Sequence, residues 1–311
     1  MSSGILHCTM ATKGRIFITG ATSGIGREAV RRFAELGWEV FATGRNEARR
    51  RELAASSKEG LVHVVALDVD RADSIAACRE EVLRLTDGYG VDVVVNNAGF
   101  ARVSPVADLT DADLRGHFDT NVFAVVSVAR AFLPGMMARG AGRIVNISSS
   151  GGRMSLPFVG AYHAAKFAVE ALSDAMRWEL LPFGVHVSVI EPGPVKTAFA
   201  DRLIDSIPLL SPDSVYAPAL ADIERLQRLA EGTMIMPEVV VRDIVHAASA
   251  KRPRPRYVEP RWLAFIITLA NLTPACILDK IISRMFGLNR LKRARPQSPS
   301  NLRTSAMDLP A

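Results

Sequence analysis

The chain has 311 residues, of which 49% are hydrophobic and 23% charged. This composition is typical of a globular protein and excludes an intrinsically disordered chain, which would be poorer in apolar residues and richer in charge. The 22 glycines and 17 prolines are close to average usage, which excludes a collagen-like or low-complexity chain.

Basic residues are concentrated near the C-terminus. The net charge is +6, but residues 251–311 hold 12 of the 38 Lys and Arg residues and 3 of the 32 Asp and Glu residues. The preceding part of the chain is therefore slightly negative, which argues against nucleic-acid binding. The three cysteines, Cys8, Cys78 and Cys276, are too far apart to indicate a disulfide framework, and the first 15 residues have no signal-peptide pattern. Both features predict a reducing, cytoplasmic location.

Short apolar runs alternate with amphipathic segments along most of the chain. The apolar, β-branched runs predict strands over residues 15–19, 38–43, 61–67, 91–95, 143–148 and 185–190. Apolar residues at helical spacing predict helices over residues 24–36, 46–56, 74–85, 111–138 and 160–181. Strands alternating with helices form βαβ units, and continuously apolar strands indicate a sheet that is covered on both faces. The predicted fold class is therefore α/β, with a doubly wound parallel sheet.

A glycine-rich turn, TGATSGIG, separates the first predicted strand from the first predicted helix. Glycines let the backbone approach a pyrophosphate, and a helix N-terminus offers free N–H groups and the positive end of its dipole. A glycine cluster also suits an ordinary turn, but its place between a strand and a helix predicts a dinucleotide site. The residues predicted to line it are Gly20, Thr22, Ser23, Gly24, Ile25 and Gly26.

Residues after the next strands indicate which dinucleotide binds. An acid after the second strand would accept from the ribose 2′-hydroxyl, but this chain has Arg45 there. A guanidinium can bind a phosphate with two hydrogen bonds, so we predict NADP(H) in preference to NAD(H), unless Arg45 merely solvates a helix start. Asp68, followed by Val69, either accepts from the adenine amino group or caps the next helix. Small residues after the fourth strand would lie against the adenosine: Asn97, Ala98 and Gly99.

Tyr162 and Lys166 form a candidate catalytic pair within the predicted helix 160–181. Four residues apart, they share one helix face, and a nearby ammonium lowers the pKa of a phenol from its ordinary value of about 10. Such pairs also occur by chance in many helices. Ser149 follows the fifth strand, where it either polarises a carbonyl or simply forms a loop. Asn121, among Val, Phe and Ala, requires a buried partner.

In order and spacing, these motifs resemble the short-chain dehydrogenase/reductase family over about residues 14–250. The resemblance rests on the glycine-rich turn, on NNAG at residues 96–99, on Ser149, Tyr162 and Lys166, and on a Pro-Gly turn at residues 192–193. It implies a Rossmann-type doubly wound parallel sheet. It also implies an oxidoreductase that transfers a hydride between a nicotinamide cofactor and an alcohol or ketone.

The resemblance implies a role for each matching position. Tyr162 would be the general acid in reduction and the general base in oxidation, while Lys166 would bind the nicotinamide ribose and lower the pKa of Tyr162. Ser149 would hydrogen-bond the substrate oxygen, and Asn121 would hold a water molecule in a proton relay. Further cofactor contacts would come from residues after the sixth strand: Pro192, Gly193, Val195 and Thr197.

The chain departs from the family pattern at Ala165, where the family often has a serine. Residues 148–150 are all serines, so the choice of Ser149 rests on its spacing to Tyr162. His163 lies about 100° around the helix from Tyr162 and is predicted to be a packing or interface residue. The histidines show no metal-ligand spacing, and no metal is predicted.

In the family, the segment 198–237 would be a lid over the substrate. Its apolar residues, among them Phe199, Leu203 and Tyr216, indicate a lipophilic substrate of steroid, retinoid or acyl type, unless they only pack the lid itself. The runs EPGPV (191–195) and Pro157-Phe158 look like the hydroxysteroid and retinol dehydrogenase branch. Two alternatives stay open: reduction of 3-oxoacyl thioesters, and a dinucleotide-sensing protein without turnover.

The segments 121–133 and 161–176 are apolar on nearly all sides of the predicted helices. A helix that covers a sheet needs only one apolar face. The alternatives are a deep core or a subunit interface, and the interface interpretation predicts a homodimer or homotetramer.

The chain continues past the usual family core, which we place at residues 14–258. Residues 259–295 are predicted to form a helical C-terminal extension, and residues 296–311 a disordered tail. Residues 262–278 are uncharged, at the short limit for crossing a bilayer, and residues 279–291 mix apolar with basic groups. Three interpretations stay open: closure of the substrate pocket, peripheral membrane contact through residues 262–295, or a spanning helix.

Overall fold

A sheet of parallel strands forms the centre of the protein. The computed structural model describes residues 12–57, 60–206, 214–219 and 232–291, without the side chains of residues 204 and 205. Within these residues the strands, numbered β1 to β7 in chain order, are Arg15–Ile18, Glu39–Gly44, Val62–Ala66, Val93–Asn96, Gly142–Ile147, Val185–Pro192 and Arg256–Glu259. Their order across the sheet is β3-β2-β1-β4-β5-β6-β7, and all neighbouring strands are parallel.

Helices connect the strands and cover both faces of the sheet. Numbered α1 to α10 among the described residues, they are Gly24–Glu35, Glu47–Ser56, Ala72–Leu85, Asp111–Phe118, Ala124–Arg139, Gly160–Leu180, Ala198–Asp205, Pro237–Ser249, Trp262–Leu272 and Ala275–Met285. The predicted fold class is confirmed: a Rossmann-type doubly wound parallel sheet with a helical C-terminal extension.

The core lies on both faces of the sheet because successive strand residues point to opposite sides. On one face, Ile16 packs with Phe33 of α1 and Ile244 of α8. On the other face, Phe17 packs against Phe132 of α5, with 4.8 Å between the ring centroids. The continuous apolar character of the strands therefore reflects burial on two sides.

The sequence-based prediction missed β7 and α8. β7 pairs with the end of β6, from Val189 opposite Arg256 to Pro192 opposite Glu259. Its sequence, RYVE, has charged residues at both ends, so it lacks the continuous apolar pattern of the other strands. The predicted domain boundary between residues 258 and 259 falls inside this strand. The predicted disordered tail, residues 296–311, lies outside the described residues.

The predicted helix 111–138 is interrupted. Between α4 and α5 the chain forms a π-helical turn, Asp119–Phe123. Among the described residues, one helical stretch, Asp111–Arg139, is long and apolar enough to cross a membrane. Its Val128 and Met136 pack against the sheet, so here the length and composition belong to a core helix.

The uncharged run 262–278 is not one helix. α9 ends at Leu272, and Pro274 immediately precedes α10. Proline lacks an N–H group and disfavours helical geometry in the residue before it, so the chain turns here. Each helix has 11 residues, which is about 16 Å of helix. This is about half the hydrocarbon thickness of a bilayer, and the interpretation as a spanning helix was wrong.

Candidate active site

The predicted site residues meet at the carboxyl ends of the strands. β1 has β2 on one side and β4 on the other, so the chain direction across the sheet reverses between β1 and β4. In doubly wound sheets, ligands bind in the crevice at this reversal. The glycine-rich turn follows β1, Asn97 follows β4, Ser149 follows β5 and Thr197 follows β6.

The glycine-rich turn has no room for side chains. A Cβ atom on Gly26 would overlap the carbonyl oxygen of Gly20 and lie 2.6 Å from Nδ2 of Asn97. A Cβ atom on Gly20 would lie 2.9 Å from Cα of Ala98. Gly20 and Gly24 also have positive φ angles, of 62° and 54°, which favour glycine. The turn is therefore pressed against the loop that follows β4.

The N-terminus of α1 is open to an anion. Ser23 precedes the helix without a side-chain cap, and the first turn contains no acidic residue. A Cβ atom on Gly24 would lie 3.3 Å from Thr197, so the turn after β6 borders the same space. Thr22 contacts Gly44 at the end of β2, whereas Ile25 packs against the core. A cradle without side chains at an uncapped helix N-terminus fits the diphosphate of a dinucleotide.

Asn97 fixes the glycine-rich turn to β4. Its Nδ2 donates to the carbonyl oxygens of Thr19 and Gly20, at 2.9 and 3.1 Å. The backbone N–H groups of Asn97 and Ala98 both donate to Oγ1 of Thr19, at 2.9 Å each. Thr19, which the sequence-based prediction did not assign, therefore joins the two loops. A buried threonine at the end of an apolar strand was the available signal.

Arg45 is exposed at the end of β2, and within the described residues its guanidinium has no protein partner. The loop that carries it is shaped by Arg50, whose Nη1 donates to the carbonyl oxygens of Gly44 and Arg45 at 3.0 and 2.9 Å. Asp68 accepts from the backbone N–H of Asp70 at 3.2 Å. The N-cap of α3 is Arg71, so Asp68 does not cap that helix.

Tyr162 and Lys166 share one face of α6, with Nζ 5.6 Å from the centroid of the Tyr162 ring. The Ser149 hydroxyl lies near the Tyr162 phenol and lowers its pKa. Ser148 instead faces Glu170 on the inner side of α6. Of the three consecutive serines, Ser149 is thus the one that reaches the phenol.

The pKa values of this pair follow from burial. Burial raises the pKa of Tyr162 to about 12, although the Ser149 hydroxyl acts in the opposite direction. Nζ of Lys166 donates to the carbonyl oxygen of Ile147 at 2.8 Å, and burial lowers the pKa of this amine to about 8. The prediction that Lys166 lowers the pKa of Tyr162 stays a prediction. The phenol is therefore protonated at neutral pH.

Asn121 lies fully buried in the π-helical turn. Its Nδ2 donates to the carbonyl oxygens of His117 and Phe100, both at 3.0 Å, and its Oδ1 accepts from the N–H of Phe100 at 3.2 Å. The buried partner that the sequence required is thus the loop after β4. A Cβ atom on Gly99 would lie 2.7 Å from Oδ1 of Asn121 and 3.9 Å from Nζ of Lys166, so these groups are neighbours.

The turn after β6 closes the other side of the site. Pro192 ends β6, and the N–H of Gly193 donates to the carbonyl oxygen of Glu259 at 2.7 Å. A Cβ atom on Gly193 would lie 2.9 Å from Leu263 of α9. Val195 forms a parallel bridge with Ile235. The predicted nicotinamide contacts are therefore held by the C-terminal part of the chain.

Tyr162 contacts one apolar ring, and a separate apolar cluster forms around Phe158, four residues before it. The Phe199 ring of α7 lies 5.8 Å from the Tyr162 ring, centroid to centroid. Phe158 is buried with a positive φ of 69°, an unusual conformation for an aromatic residue. The cluster joins the loop before α6, the lid and α10: Val103, Leu156, Phe158, Leu203, Tyr216, Ala219, Ile282 and Phe286. The extension thus packs on the lid, of which residues 207–213 and 220–231 lie outside the described residues.

His163 is a packing residue, as predicted. Its Nδ1 accepts from the N–H of Leu156 at 3.0 Å, and burial lowers the pKa of the imidazole to about 4. In the part of the chain that the structure describes, no three His, Cys, Asp or Glu side chains come together in a way that could hold a metal ion.

Comparison with known proteins identifies relatives along most of the chain. The uncharacterized oxidoreductase YbbO of Escherichia coli K12 is 35% identical over 269 residues, covering 86% of this chain and 93% of that protein. Human 17-beta-hydroxysteroid dehydrogenase type 1 is 40% identical over 199 residues, covering 61% and 60% of the two chains. Human retinol dehydrogenase 8 is 34% identical over 249 residues, covering 76% and 78%.

The fold is also similar to that of solved structures. A short-chain dehydrogenase from Streptomyces avermitilis superposes with a TM-score of 0.72 at 27% identity, covering 90% of this chain and 98% of that one. The closed form of serine dehydrogenase complexed with NADP+ superposes with a TM-score of 0.67 at 29% identity, covering 78% and 93%. Residues 15–207 match the family model of short chain dehydrogenases. The chain therefore belongs to the short-chain dehydrogenase/reductase family, in the branch with hydroxysteroid and retinol dehydrogenases, and is an oxidoreductase that acts on CH–OH groups with NAD(P).

Proposed function

We propose that the protein is an NADP(H)-dependent enzyme that transfers a hydride between the cofactor and a lipophilic alcohol or ketone. The observation that carries this proposal is the grouping of Ser149, a protonated Tyr162 and the buried Lys166, in which the Ser149 hydroxyl lowers the pKa of the phenol and Nζ of Lys166 lies 5.6 Å from the centroid of its ring. A protonated phenol suits the direction in which a ketone is reduced, because the product oxygen needs a proton.

Different side chains of the protein would have separate roles around the substrate oxygen. The cofactor, when bound, supplies or accepts the hydride. In reduction, the Ser149 hydroxyl donates a hydrogen bond to the ketone oxygen, and Tyr162 donates its proton to that oxygen. Lys166 binds the ribose and stabilises the phenolate that is left. Asn121, close to Lys166, holds a water molecule through which the proton is replaced. The glycine-rich turn binds the diphosphate at the N-terminus of α1.

The substrate class follows from the surroundings of Tyr162. Phe199 contacts its ring, and Phe158, four residues before Tyr162, packs with Tyr216 and Phe286 in an apolar cluster. A ketone of steroid, retinoid or acyl type would bury its apolar body against such side chains, at about 25 cal/mol per Å² of apolar surface. The relatives named for hydroxysteroid and retinol substrates support the same class. Some of these side chains also pack against each other, as the lid itself requires.

Tyr162→Phe is expected to lower turnover of a lipophilic ketone by about 10²–10⁴-fold, the usual contribution of a general acid. Binding of NADPH, followed by its fluorescence, should change little because the ring stays in place. Tyr89→Phe is the matched control, since Tyr89 is exposed and bonded to Asp92 away from the site. Turnover of the Tyr162 variant at the wild-type rate would refute the proposed role, and a panel of steroids, retinoids and 3-oxoacyl thioesters would separate the substrate classes.

Preference for NADP(H) rests on Arg45, whose guanidinium at the end of β2 has no partner among the residues that the structure describes. The 2′-phosphate of NADP(H) is the group that such a guanidinium would bind. The NADP+ complex of the related serine dehydrogenase supports this choice.

Arg45→Ala is expected to raise the apparent KM for NADPH by about 10–100-fold, because a hydrogen bond to a charged group contributes roughly 1.5–3 kcal/mol. The KM for NADH should stay within about twofold, since NADH has no phosphate at that position. Arg84→Ala, which removes an exposed arginine paired with Glu81, should leave both KM values unchanged. Equal effects of Arg45→Ala on the two cofactors would contradict the assignment.

Gly26→Ala is expected to abolish measurable dinucleotide binding, because the added methyl group displaces the turn from Gly20 and Asn97. Gly116→Ala is the control: it also lies in a helix, but its Cβ atom would meet nothing within 4 Å. That control should bind cofactor normally and gain roughly 0.5–1 kcal/mol of stability, as Gly-to-Ala changes in helices do. Calorimetric titration with NADPH measures the affinity of both variants for the cofactor. Wild-type affinity in the Gly26 variant would place the cofactor elsewhere.

Two separate apolar surfaces remain exposed, and we assign them to different partners. On α6, Phe167 and Trp178 lie on one face, since 11 residues are about three turns, and this face would bind a second copy of the chain. On the extension, exposed apolar side chains are interspersed with Arg261, Lys280 and Arg284, which suits an anionic membrane surface. The apolar side chains are Trp262, Phe265, Ile266, Leu269, Leu272, Ile277, Ile281 and Met285.

Sedimentation with lipid vesicles, together with light scattering, tests both surfaces. Wild-type protein should be at least a dimer and should sediment with vesicles that contain phosphatidylserine more than with phosphatidylcholine alone. Phe265→Asp, at a side chain 71% exposed, should abolish sedimentation with the vesicles without changing the molecular mass measured by light scattering. Trp178→Asp, at a side chain 63% exposed, should reduce the mass without affecting the vesicles. A wild-type monomer would refute the interface, and wild-type protein in the supernatant would refute the membrane contact.

A further inference from the structure

Two carboxyl groups are buried beneath α6, and one of them lies one helical turn from Lys166. Glu170 follows Lys166 by four residues on α6 and is 6% exposed. Glu191 lies at the end of β6, just before the predicted nicotinamide contacts, and is fully buried. Acidic residues are almost never buried unless they are paired, and the proposed reaction uses neither of them.

Arg256 of β7 joins the two carboxylates. Its Nε donates to Oε2 of Glu170 at 3.1 Å and also lies 3.1 Å from Oε1 of Glu191. Its Nη2 donates to Asp174 at 2.6 Å. One N–H group thus stands between two carboxylate oxygens, and it cannot give each of them a full hydrogen bond. Arg153, the other neighbouring cation, reaches Glu191 at 3.4 Å.

The remaining oxygens of the pair are poorly paired. Within the described residues, Oε1 of Glu170, Oε2 of Glu191 and Oγ of Ser148 are buried and have no hydrogen bond of good geometry, although the nearby Ser148 hydroxyl lowers the pKa of Glu170. A buried acceptor without a donor costs about 1–3 kcal/mol, more when it is charged, so such atoms need an explanation. Gly152 keeps this space closed, because its Cβ atom would lie 2.7 Å from Oγ of Ser148 and 3.0 Å from Cγ of Glu170. A proton on one carboxyl group would turn an unpaired acceptor into a donor.

We propose that Glu170 and Glu191 share one proton between them and act as positioning residues for Lys166. With one negative charge on the pair, Glu170 stabilises the Lys166 ammonium through the helix face that they share. Arg256 holds the two carboxyl groups next to each other and thereby connects α6 to β7. The part of this proposal that concerns turnover rests on the proposed function, whereas the shared proton does not.

The charges around the pair agree with a shared proton. The groups that face it are Lys166 and Asp174 from α6, Arg153 from the turn after β5, and Arg256 from β7. Burial and the charge of Glu170 raise the pKa of Glu191 to about 7, and burial also raises the pKa of Glu170. The negative charge of Glu170 in turn raises the pKa of Lys166, against the effect of burial.

The first test measures thermal unfolding midpoints from pH 5 to 8.5 and needs neither substrate nor cofactor. A carboxyl group whose folded-state pKa is raised stabilises the fold at low pH and loses that contribution as the pH rises through the raised value. The wild-type midpoint should therefore fall from pH 5 towards about 7, the pKa of Glu191, and should level off above it. Glu191→Gln, which resembles the protonated acid, should lose this slope, so that its midpoint relative to wild type rises with pH.

The second test compares the alkaline limb of kcat/KM in two variants. Glu170→Gln removes the charge next to Lys166 and should move that limb to lower pH by about one unit, the usual effect of a neighbouring charge. Glu191→Gln leaves Glu170 fully ionised and should leave the limb in place or move it to higher pH. A role in packing alone would not displace the alkaline limbs of the two variants in different directions. Glu52→Gln, in an exposed pair with Arg27, is the control for loss of a negative charge.

The outcomes separate the shared proton from the function. Midpoints of Glu191→Gln that run parallel to wild type across the pH range would overturn the shared proton. Equal displacement of the alkaline limb in both variants, or none beyond that of Glu52→Gln, would overturn the positioning role. If no ketone is turned over but the Glu191→Gln midpoints change slope as expected, the shared proton stands and the proposed function fails.

Discussion

A buried ammonium group organises this site. Lys166 is 5% exposed, and its Nζ donates to the carbonyl oxygen at the end of β5. A buried charge is tolerated only when it is paired or hydrogen-bonded, so this contact fixes the orientation of α6 on the sheet. That orientation brings the Tyr162 phenol to the Ser149 hydroxyl, which follows the same strand. The relative position of Tyr162 and Ser149 in the candidate site therefore depends on the hydrogen bond of this one buried cation.

Most of the fold could be predicted because its strands are buried on both faces. Continuous apolar runs identify β1 to β6, and the amphipathic segments between them require parallel crossovers. β7 was missed because its Arg256 points to buried acids, so the strand has no apolar run. The π-helical turn at Asn121 was also missed, since apolar residues at helical spacing continue through it. In the extension, Pro274 was noticed, but its effect as a break between two helices appears only in the structure.

The site was predictable where its chemistry depends on neighbours in sequence. The glycine-rich turn and the Tyr162–Lys166 pair depend on contacts within a few residues, and the structure brings these groups together. The contacts of Thr19 with the loop after β4 join positions 78 residues apart, which no local pattern reveals. The burial that raises the pKa of Tyr162 was not predicted, for the same reason. Spacing on a helix shows that an amine is near, but the burial that outweighs it depends on the whole fold.

Strain and unsatisfied groups collect around Tyr162 and Lys166. Phe158 has a left-handed conformation, which costs of order 1–3 kcal/mol. Lys166 is desolvated, and among the described residues one oxygen each of Glu170 and Glu191 has no hydrogen bond of good geometry. Elsewhere the two faces of the sheet carry large apolar clusters, whose burial offsets these costs. The extension contributes to the same balance: α10 packs Phe286 against Phe158, and β7 supplies the cation between the two acids. β7 and the extension therefore both contact the strained part of the site.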